Sequence, residues 1–251
     1  KKSTQDNPQK KIPETNKIFE NLAMINKYAD SSETTLRISF DAKADVKIGN
    51  LSRGGKNRKE TKADDHDFGV DGKITPVGVF LPKDKDLFLY MVKSKTTSDC
   101  YVDVLEKCWK DISNTAGQGV KELVINLDNG PQQNSRRTQF MKRIQDFSND
   151  SNLSITLAYY PPYHSKYNPI ERPFGSLEKH WGGEILSTEE AVLGYAKTMK
   201  WAGKNPKVEV VDKVYEHGVK LTKKEMDELN AGFVRKSGIE KWFVRIRPRA
   251  G

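Results

Sequence analysis

Cysteine is scarce in this sequence, and long apolar runs are missing. The 251 residues include two cysteines, Cys100 and Cys108, and neither belongs to a Cys-x-x-Cys pair. This excludes a zinc framework built on paired cysteines and a disulfide-dense secreted domain. No run approaches the ~18 consecutive apolar residues of a transmembrane helix, and the opening stretch KKSTQDNPQKK lacks the apolar segment of a secretory signal. We therefore expect an intracellular, cytoplasmic protein with no membrane partner.

Acidic residues are too few to balance the basic ones. The chain has 43 lysines and arginines against 34 aspartates and glutamates, which gives a net charge of +9. An excess of this size favours a polyanionic partner, most often nucleic acid. The charge is also compatible with a basic soluble protein that binds no such partner.

Hydrophobic periodicity predicts three strands followed by alternating helices and strands. The predicted strands cover 35–49, 73–82, 86–94, 121–128 and 153–160, and the predicted helices cover 18–29, 98–112, 134–147, 172–181, 187–201 and 222–230. Capping boxes are predicted at Ser187-x-x-Glu190 and Thr222-x-x-Glu225, and the tail KWFVRIRPR alternates like an edge strand. The order predicts an α/β fold with a mixed five-stranded sheet flanked by helices and a C-terminal helical extension. A ribonuclease-H-like fold has this order, although other α/β folds share parts of it.

Three acidic residues fall where predicted elements begin or end. Asp41 ends the first strand, Asp128 ends the fourth, and Glu171 precedes a helix after the fifth. If the first and fourth strands are neighbours, the two aspartates face each other at a sheet edge. Carboxylates gathered at one place are tolerated when they are protonated or share cations, and hard oxygen ligands select Mg²⁺ or Mn²⁺. Two such ions about 4 Å apart suit a phosphodiester displacement.

Ordinary structural roles for the same residues stay open. Asp128 opens the turn DNGP, and Asn168-Pro169-x-Glu171 is also a good helix start with asparagine as N-cap. Alternatively, the helix begins near Arg172 and Glu171 lies in the turn just ahead. Asp45 is spaced to point away from Asp41.

The loop that delivers Glu171 is stiff and aromatic. The run YYPPYHSKYNPIE holds three prolines, which restrict its backbone and fix where the glutamate points. Tyr163, His164 and Tyr167 are placed either to touch DNA or to pack within the loop.

Two long motifs resemble one family of transposases. LVINLDNGPQQNSRRTQFMKRIQDF and AYYPPYHSKYNPIERPFGSLEKHW are similar to the insertion-sequence transposases of the Rhodopirellula-type DDE family, distant relatives of the mariner-like elements. The resemblance extends over roughly residues 10–245. It implies a ribonuclease-H-like fold with a catalytic, metal-binding triad of Asp41, Asp128 and Glu171.

The resemblance also implies an activity and its partners. The expected reaction is hydrolysis at transposon ends followed by strand transfer into target DNA, with two Mg²⁺ ions that Mn²⁺ can replace. The expected partners are double-stranded DNA and a second copy of the chain on that DNA, with the protein at the nucleoid when it acts.

The resemblance suggests three regions. Residues 1–33 are interpreted as an N-terminal arm and helix that follow a missing DNA-binding region, 34–202 as the catalytic domain, and 203–251 as a C-terminal extension. The predicted DNA contacts are Arg136, Arg137, His164, Lys166, Tyr167 and Arg172. Further basic candidates are Arg53, Lys56, Arg58, Lys59, Arg245, Arg247 and Arg249.

Two other functions stay open at this point. One is a nuclease of the same fold that cuts DNA without joining it. The other is a catalytically silent, transposase-derived protein that only binds DNA.

Overall fold

The structure is a computed structural model that describes residues 11–52 and 72–249. Its helices are α1 (Thr15–Ser31), α2 (Ser98–Ile112), α3 (Thr138–Ser151), α4 (Glu171–Trp181), α5 (Glu189–Thr198) and α6 (Lys223–Asn230). Its strands are β1 (Thr35–Ala42), β2 (Val46–Ile48), β3 (Gly72–Leu81), β4 (Asp86–Val92), β5 (Glu122–Leu127), β6 (Ser154–Tyr159), β7 (Lys207–Val211), β8 (Val234–Arg235) and β9 (Phe243–Ile246).

The described strands form one mixed sheet in the order β7-β4-β3-β1-β5-β6-β9-β8, with β2 paired to β3. The five predicted strands lie together at its centre, where β4-β3-β1 is antiparallel and β1-β5-β6 is parallel. β5 has the sequence ELVINL and is buried along nearly its whole length. This is typical of a central parallel strand, because helices cover both of its faces. The predicted mixed α/β architecture is confirmed.

Helices cover both faces of the sheet. On one face, Tyr101 of α2 packs against Phe40 of β1, and α3 lies beside α2. The opposite face carries α1, α4 and α5. There the side chain of Ser39 contacts the chain at the start of α4, and its register partner Asn126 bonds Asn26 of α1.

Gly78 allows α4 to lie directly against β3. A Cβ atom at this position would lie 2.6 Å from Cδ1 of Ile170 and 2.9 Å from the ring of Phe174, closer than carbon atoms pack. Gly78 is also the register partner of Asp41 in the neighbouring strand. The missing side chain therefore brings the helix that begins at Glu171 onto the sheet beside Asp41.

Several predicted boundaries are wrong for local reasons. The helix predicted from residue 134 begins at Thr138, because the Asn134 side chain bonds the backbone at Gly130 and Arg136 and so competes with helix formation. The predicted strand 35–49 is broken between β1 and β2, where Asp45 bonds the hydroxyl of Thr75.

Helix starts shift by single residues. The N-cap of α5 is Thr188, which accepts a bond from Ala191, so the capping box predicted at Ser187 is wrong, whereas the one at Thr222 is confirmed. Glu171 is the first residue of α4 rather than part of the turn ahead of it.

The segment after residue 202, predicted as a helical extension, also contributes strands to the sheet, and together with β2 these give the described sheet nine strands instead of the predicted five. It contains α6 and three strands, of which β7 pairs with β4 and β9 pairs with β6. β9 carries the alternating tail and is not an edge strand, because the two-residue β8 covers its outer side. Within 11–52 and 72–249, no helix has both the length and the apolar character to cross a bilayer.

We predict that Gly78→Ala destabilises the protein by about 1–3 kcal/mol, because the new methyl group overlaps Ile170 and Phe174. The free energy of unfolding, measured by urea denaturation, checks this. Gly194→Ala is the matched control: nothing lies within 4 Å of its added Cβ on α5, so it should raise stability by up to about 1 kcal/mol. Equal stability of Gly78→Ala and wild type would contradict the close approach.

Candidate functional site

The register of the sheet brings two aspartates together. β1 and β5 are parallel neighbours in which Phe40 pairs with Leu127. Asp41 and Asp128 each follow one member of this pair, so they lie side by side at the carboxyl ends of the strands. The predicted neighbourhood of the two strands, and the meeting of the two acids at the sheet edge, are confirmed.

Glu171 joins them from the first turn of α4. One carboxylate oxygen from each of Asp41, Asp128 and Glu171 lies within 4.8 Å of the others, and all three side chains are half-buried. No other group of three or more His, Cys, Asp or Glu side chains converges in this way in the described part of the chain.

Asn168 holds the loop before α4 against the aspartates. Its buried side chain donates to Oδ1 of Asp128 at 3.2 Å and accepts a short hydrogen bond from the hydroxyl of Ser39. The same hydroxyl accepts from the backbone N–H of Ile170 at 2.9 Å. The alternative role of Asn168 as a side-chain N-cap is therefore wrong, because only its backbone carbonyl bonds Glu171.

The hydrogen bonds to the aspartates leave one oxygen of each for another ligand. Oδ1 of Asp41 accepts from the backbone N–H of Ala42 at 2.8 Å and from the side-chain amide of Gln133 at 3.2 Å. Oδ1 of Asp128 accepts from Asn168. No hydrogen bond from the described residues reaches Oδ2 of either aspartate.

The electrostatics of the cluster fit a cation. The pKa of Asp41 is raised to about 7, mainly by burial and in addition by the negative charge of Asp128. Burial also raises the pKa of Asp128 to about 6, while the bond from Asn168 opposes the shift. Burial raises the pKa of Glu171 as well, against the opposing charge of Lys43. Three acids that resist ionisation together, with oxygens available, are suited to hard divalent cations.

Sequence reasoning missed three groups that position this cluster. Gln133 lies next to a turn and Ser39 lies within a strand. Polar residues are common at both kinds of position, so the sequence does not single these two out. Gly78 could have been recognised from the sequence, because a glycine inside an apolar strand often marks the close approach of another element.

Two nearby acids lie outside the cluster. Asp45 binds Lys73 and the hydroxyl of Thr75, both at 2.6 Å. Glu178, two helical turns beyond Glu171, forms an ion pair with Lys43.

The aromatic loop packs against α1. His164 and Tyr167 both contact the ring of Phe19 edge-on at 5.3 Å between ring centroids. Tyr167 is nevertheless half exposed and Tyr163 is 74% exposed. Both rings therefore pack within the fold, and DNA contact by His164 and Tyr167 stays a prediction.

The other basic candidates have different surroundings. Arg136 is exposed, and Arg137, at the N-cap position of α3, donates to the carbonyl of Val219. In the tail, Arg245 forms an ion pair with Glu122, whereas the predicted edge strand would have left its side chain unpaired. Arg53, Lys56, Arg58 and Lys59 lie outside the described residues. DNA contact by these side chains stays a prediction, as it does for Lys166 and Arg172.

We predict that Asp41→Asn stabilises the metal-free protein at pH 8 by a few kcal/mol, and less at pH 5. A carboxyl group with a raised native pKa favours folding below its unfolded pKa near 4, and this contribution is lost as pH rises through about 7. Asparagine does not ionise, so the Asp41→Asn variant does not lose this stability as the pH rises. Chemical denaturation with a chelator at the two pH values measures the difference.

Asp45→Asn is the control for this prediction, since hydrogen bonds to Lys73 and Thr75 lower the pKa of Asp45. Its removal should be neutral or slightly destabilising at both pH values. If Asp41→Asn destabilises the protein equally at pH 5 and pH 8, the repulsive cluster described above is wrong.

The chain is similar to known transposase structures and to one protein family. A solved structure of the Mos1 transposase paired-end complex with the left transposon end superimposes with a TM-score of 0.52 at 13% identity. A second, the Mos1 mariner paired-end complex with Mn, gives a TM-score of 0.48 at 12% identity. Each match covers 75% of this chain and 54% of the Mos1 chain, so the chain spans about half of that protein's length.

The first of these matches shows the fold, which is ribonuclease-H-like. No curated protein matches the chain. The model of the family described as the Rhodopirellula transposase DDE domain matches residues 1–248. The chain, with its converging Asp, Asp and Glu, belongs to this family of DDE transposase domains.

Proposed function

We propose that the chain is the catalytic domain of a DNA transposase. It hydrolyses phosphodiester bonds at transposon ends and then joins the exposed 3′-hydroxyl to target DNA. The observation that carries the proposal is the convergence of Asp41, Asp128 and Glu171 at one sheet edge in a chain of this family.

Two Mg²⁺ ions, which Mn²⁺ can replace, are the proposed cofactors. Asp41, Asp128 and Glu171 would hold them, with Oδ2 of each aspartate as the free ligand atom. When bound, such ions stabilise the charge that develops on the attacking and leaving oxygens of a phosphodiester displacement.

The protein's own contribution is to hold the carboxylates in place. Gln133 and Asn168 each donate a hydrogen bond to Oδ1 of one aspartate, which restricts the rotation of that carboxylate. Ser39 ties the loop to the sheet, and Gly78 lets α4 approach it. Together these contacts hold Glu171 near the aspartates before DNA arrives, which limits the reorganisation that catalysis needs.

Double-stranded DNA, as transposon end and as target, is the proposed partner. The net charge of +9 supports a polyanionic ligand. Joining two ends to one target suggests a homodimer on DNA, which would act in the cytoplasm at the nucleoid.

We predict that Asp41→Asn, Asp128→Asn and Glu171→Gln each lower metal-dependent nicking of supercoiled plasmid by at least about 100-fold. Loss of one ligand removes several kcal/mol of charge stabilisation. Initial rates with Mn²⁺ and with Mg²⁺ give the measurement. The matched controls are Asp45→Asn and Glu178→Gln, which remove acids close in sequence that are engaged in other ion pairs.

Equal nicking rates for the triad variants and their controls would contradict the proposal. Joining is tested separately, with oligonucleotides that carry the DNA flanking the gene and end in a 3′-hydroxyl. Metal-dependent joined products support strand transfer, whereas nicking without joining identifies a nuclease. DNA binding without nicking in either metal identifies a silent DNA-binding protein.

A further inference from the structure

A cavity of about 530 Å³ lies on the α4 face of the sheet, next to the carboxylate cluster of Asp41, Asp128 and Glu171. It is lined by residues of β1, of β3 and the turn after it, of the loop before α4 and the first turn of α4, and of the chain after α5. Its polar and aromatic lining includes Arg37, Lys85, Lys166, Tyr167, Arg172 and Trp201.

The cavity is positively charged. Four of its lining side chains are cationic and none is a carboxylate. Arg37 is neutralised by Asp30, which it binds through two hydrogen bonds of 2.8 and 2.7 Å. Lys85, Lys166 and Arg172 form no ion pair with any residue in 11–52 or 72–249, so their charges are uncompensated there.

The cavity and the carboxylate cluster share a wall. Asn168 lines the cavity, and its side chain also donates to Asp128. Arg172, another lining residue, directly follows Glu171. Because side chains alternate along a strand, Arg37 and Asp41 point to the same face of β1, about 13 Å apart along it. The cavity therefore lies on the other side of Asn168 from the carboxylates, within reach of an extended ligand that is bound at the cluster.

The chemistry of the lining identifies the ligand class. Uncompensated lysine and arginine side chains bind phosphate oxygens, and half-exposed aromatic rings next to them offer surfaces for sugars and bases. Lys166 already lies over the ring of Tyr167 at 5.1 Å, which keeps its charge at the cavity wall. The three free cations come from two distant parts of the chain, which suits a chain of phosphates better than one small anion.

We propose that this cavity, the phosphate channel, binds the sugar-phosphate backbone of DNA a few nucleotides from the scissile bond. The proposal rests on the proposed function, because it takes the carboxylate cluster as the place where DNA is cut. It adds Lys85, which lies far from the triad in sequence, to Lys166 and Arg172 as a phosphate contact.

Lys85→Ala tests the phosphate channel, with Lys83→Ala as the matched control. Both lysines are exposed and belong to the turn between β3 and β4, but only Lys85 lines the cavity. The measurement is the affinity for a fluorescent 30-base-pair duplex of arbitrary sequence, by anisotropy across a series of NaCl concentrations with chelator present. Both variants lose one positive charge, so a difference in affinity between them cannot come from net charge.

Loss of a phosphate contact should weaken binding about three- to tenfold at low salt and reduce the slope of log K against log[salt] by about 1. We expect this for Lys85→Ala and near wild-type binding for Lys83→Ala. Equal behaviour of the two variants would overturn the phosphate channel while leaving the carboxylate cluster untouched.

Two further outcomes separate the possible failures. If inorganic phosphate protects wild type from thermal unfolding, but not Lys85→Ala, while both bind the duplex equally, the cavity binds a free anion and the proposal is wrong. If wild type itself does not bind the duplex, both the phosphate channel and the proposed function fail. A raised KM for plasmid nicking by Lys85→Ala, with the KM of Lys83→Ala unchanged, would support a binding role distinct from that of the triad.

Discussion

The burial of three neighbouring acids, Asp41, Asp128 and Glu171, is the constraint on which the rest of this structure depends. Three half-buried acids with oxygens within 4.8 Å of one another disfavour ionisation, and the fold must hold them together. The backbone of the sheet does most of this, because the pairing of β1 with β5 fixes both aspartates. Glu171 needs more, since it arrives on a helix from a separate loop.

The contacts that bring Glu171 in are small and buried. Gly78 removes a side chain where α4 meets the sheet, and Ser39 with Asn168 ties the preceding loop to β1 and Asp128. The prolines of that loop limit its backbone freedom, so that few contacts suffice to hold it. A metal ion would then relieve the repulsion, and the stability of the fold would become coupled to metal binding.

The sequence supplies the central features of this arrangement but not its details. The apolar run of β5 and the acid after it predict a buried strand ending at a functional edge, and the proline-rich loop predicts a fixed position for Glu171. The strands β7 and β8 are too short to show a clear period, and the alternating tail that forms β9 does not reveal its partner, so the places of all three in the sheet follow only from pairing. The contact of Gln133 with Asp41 and the ion pair of Arg245 with Glu122 likewise become visible only in the folded chain.

Crystals of the protein soaked in Mn²⁺ would test the central claim most directly, through the anomalous scattering of the metal. We expect a peak within coordinating distance of Oδ2 of Asp41 and Oδ2 of Asp128, with Glu171 close by, and its loss in Asp41→Asn. Carboxylates that lie on separate faces of the molecule, or a wild-type site that stays without a peak at saturating Mn²⁺, would contradict the account.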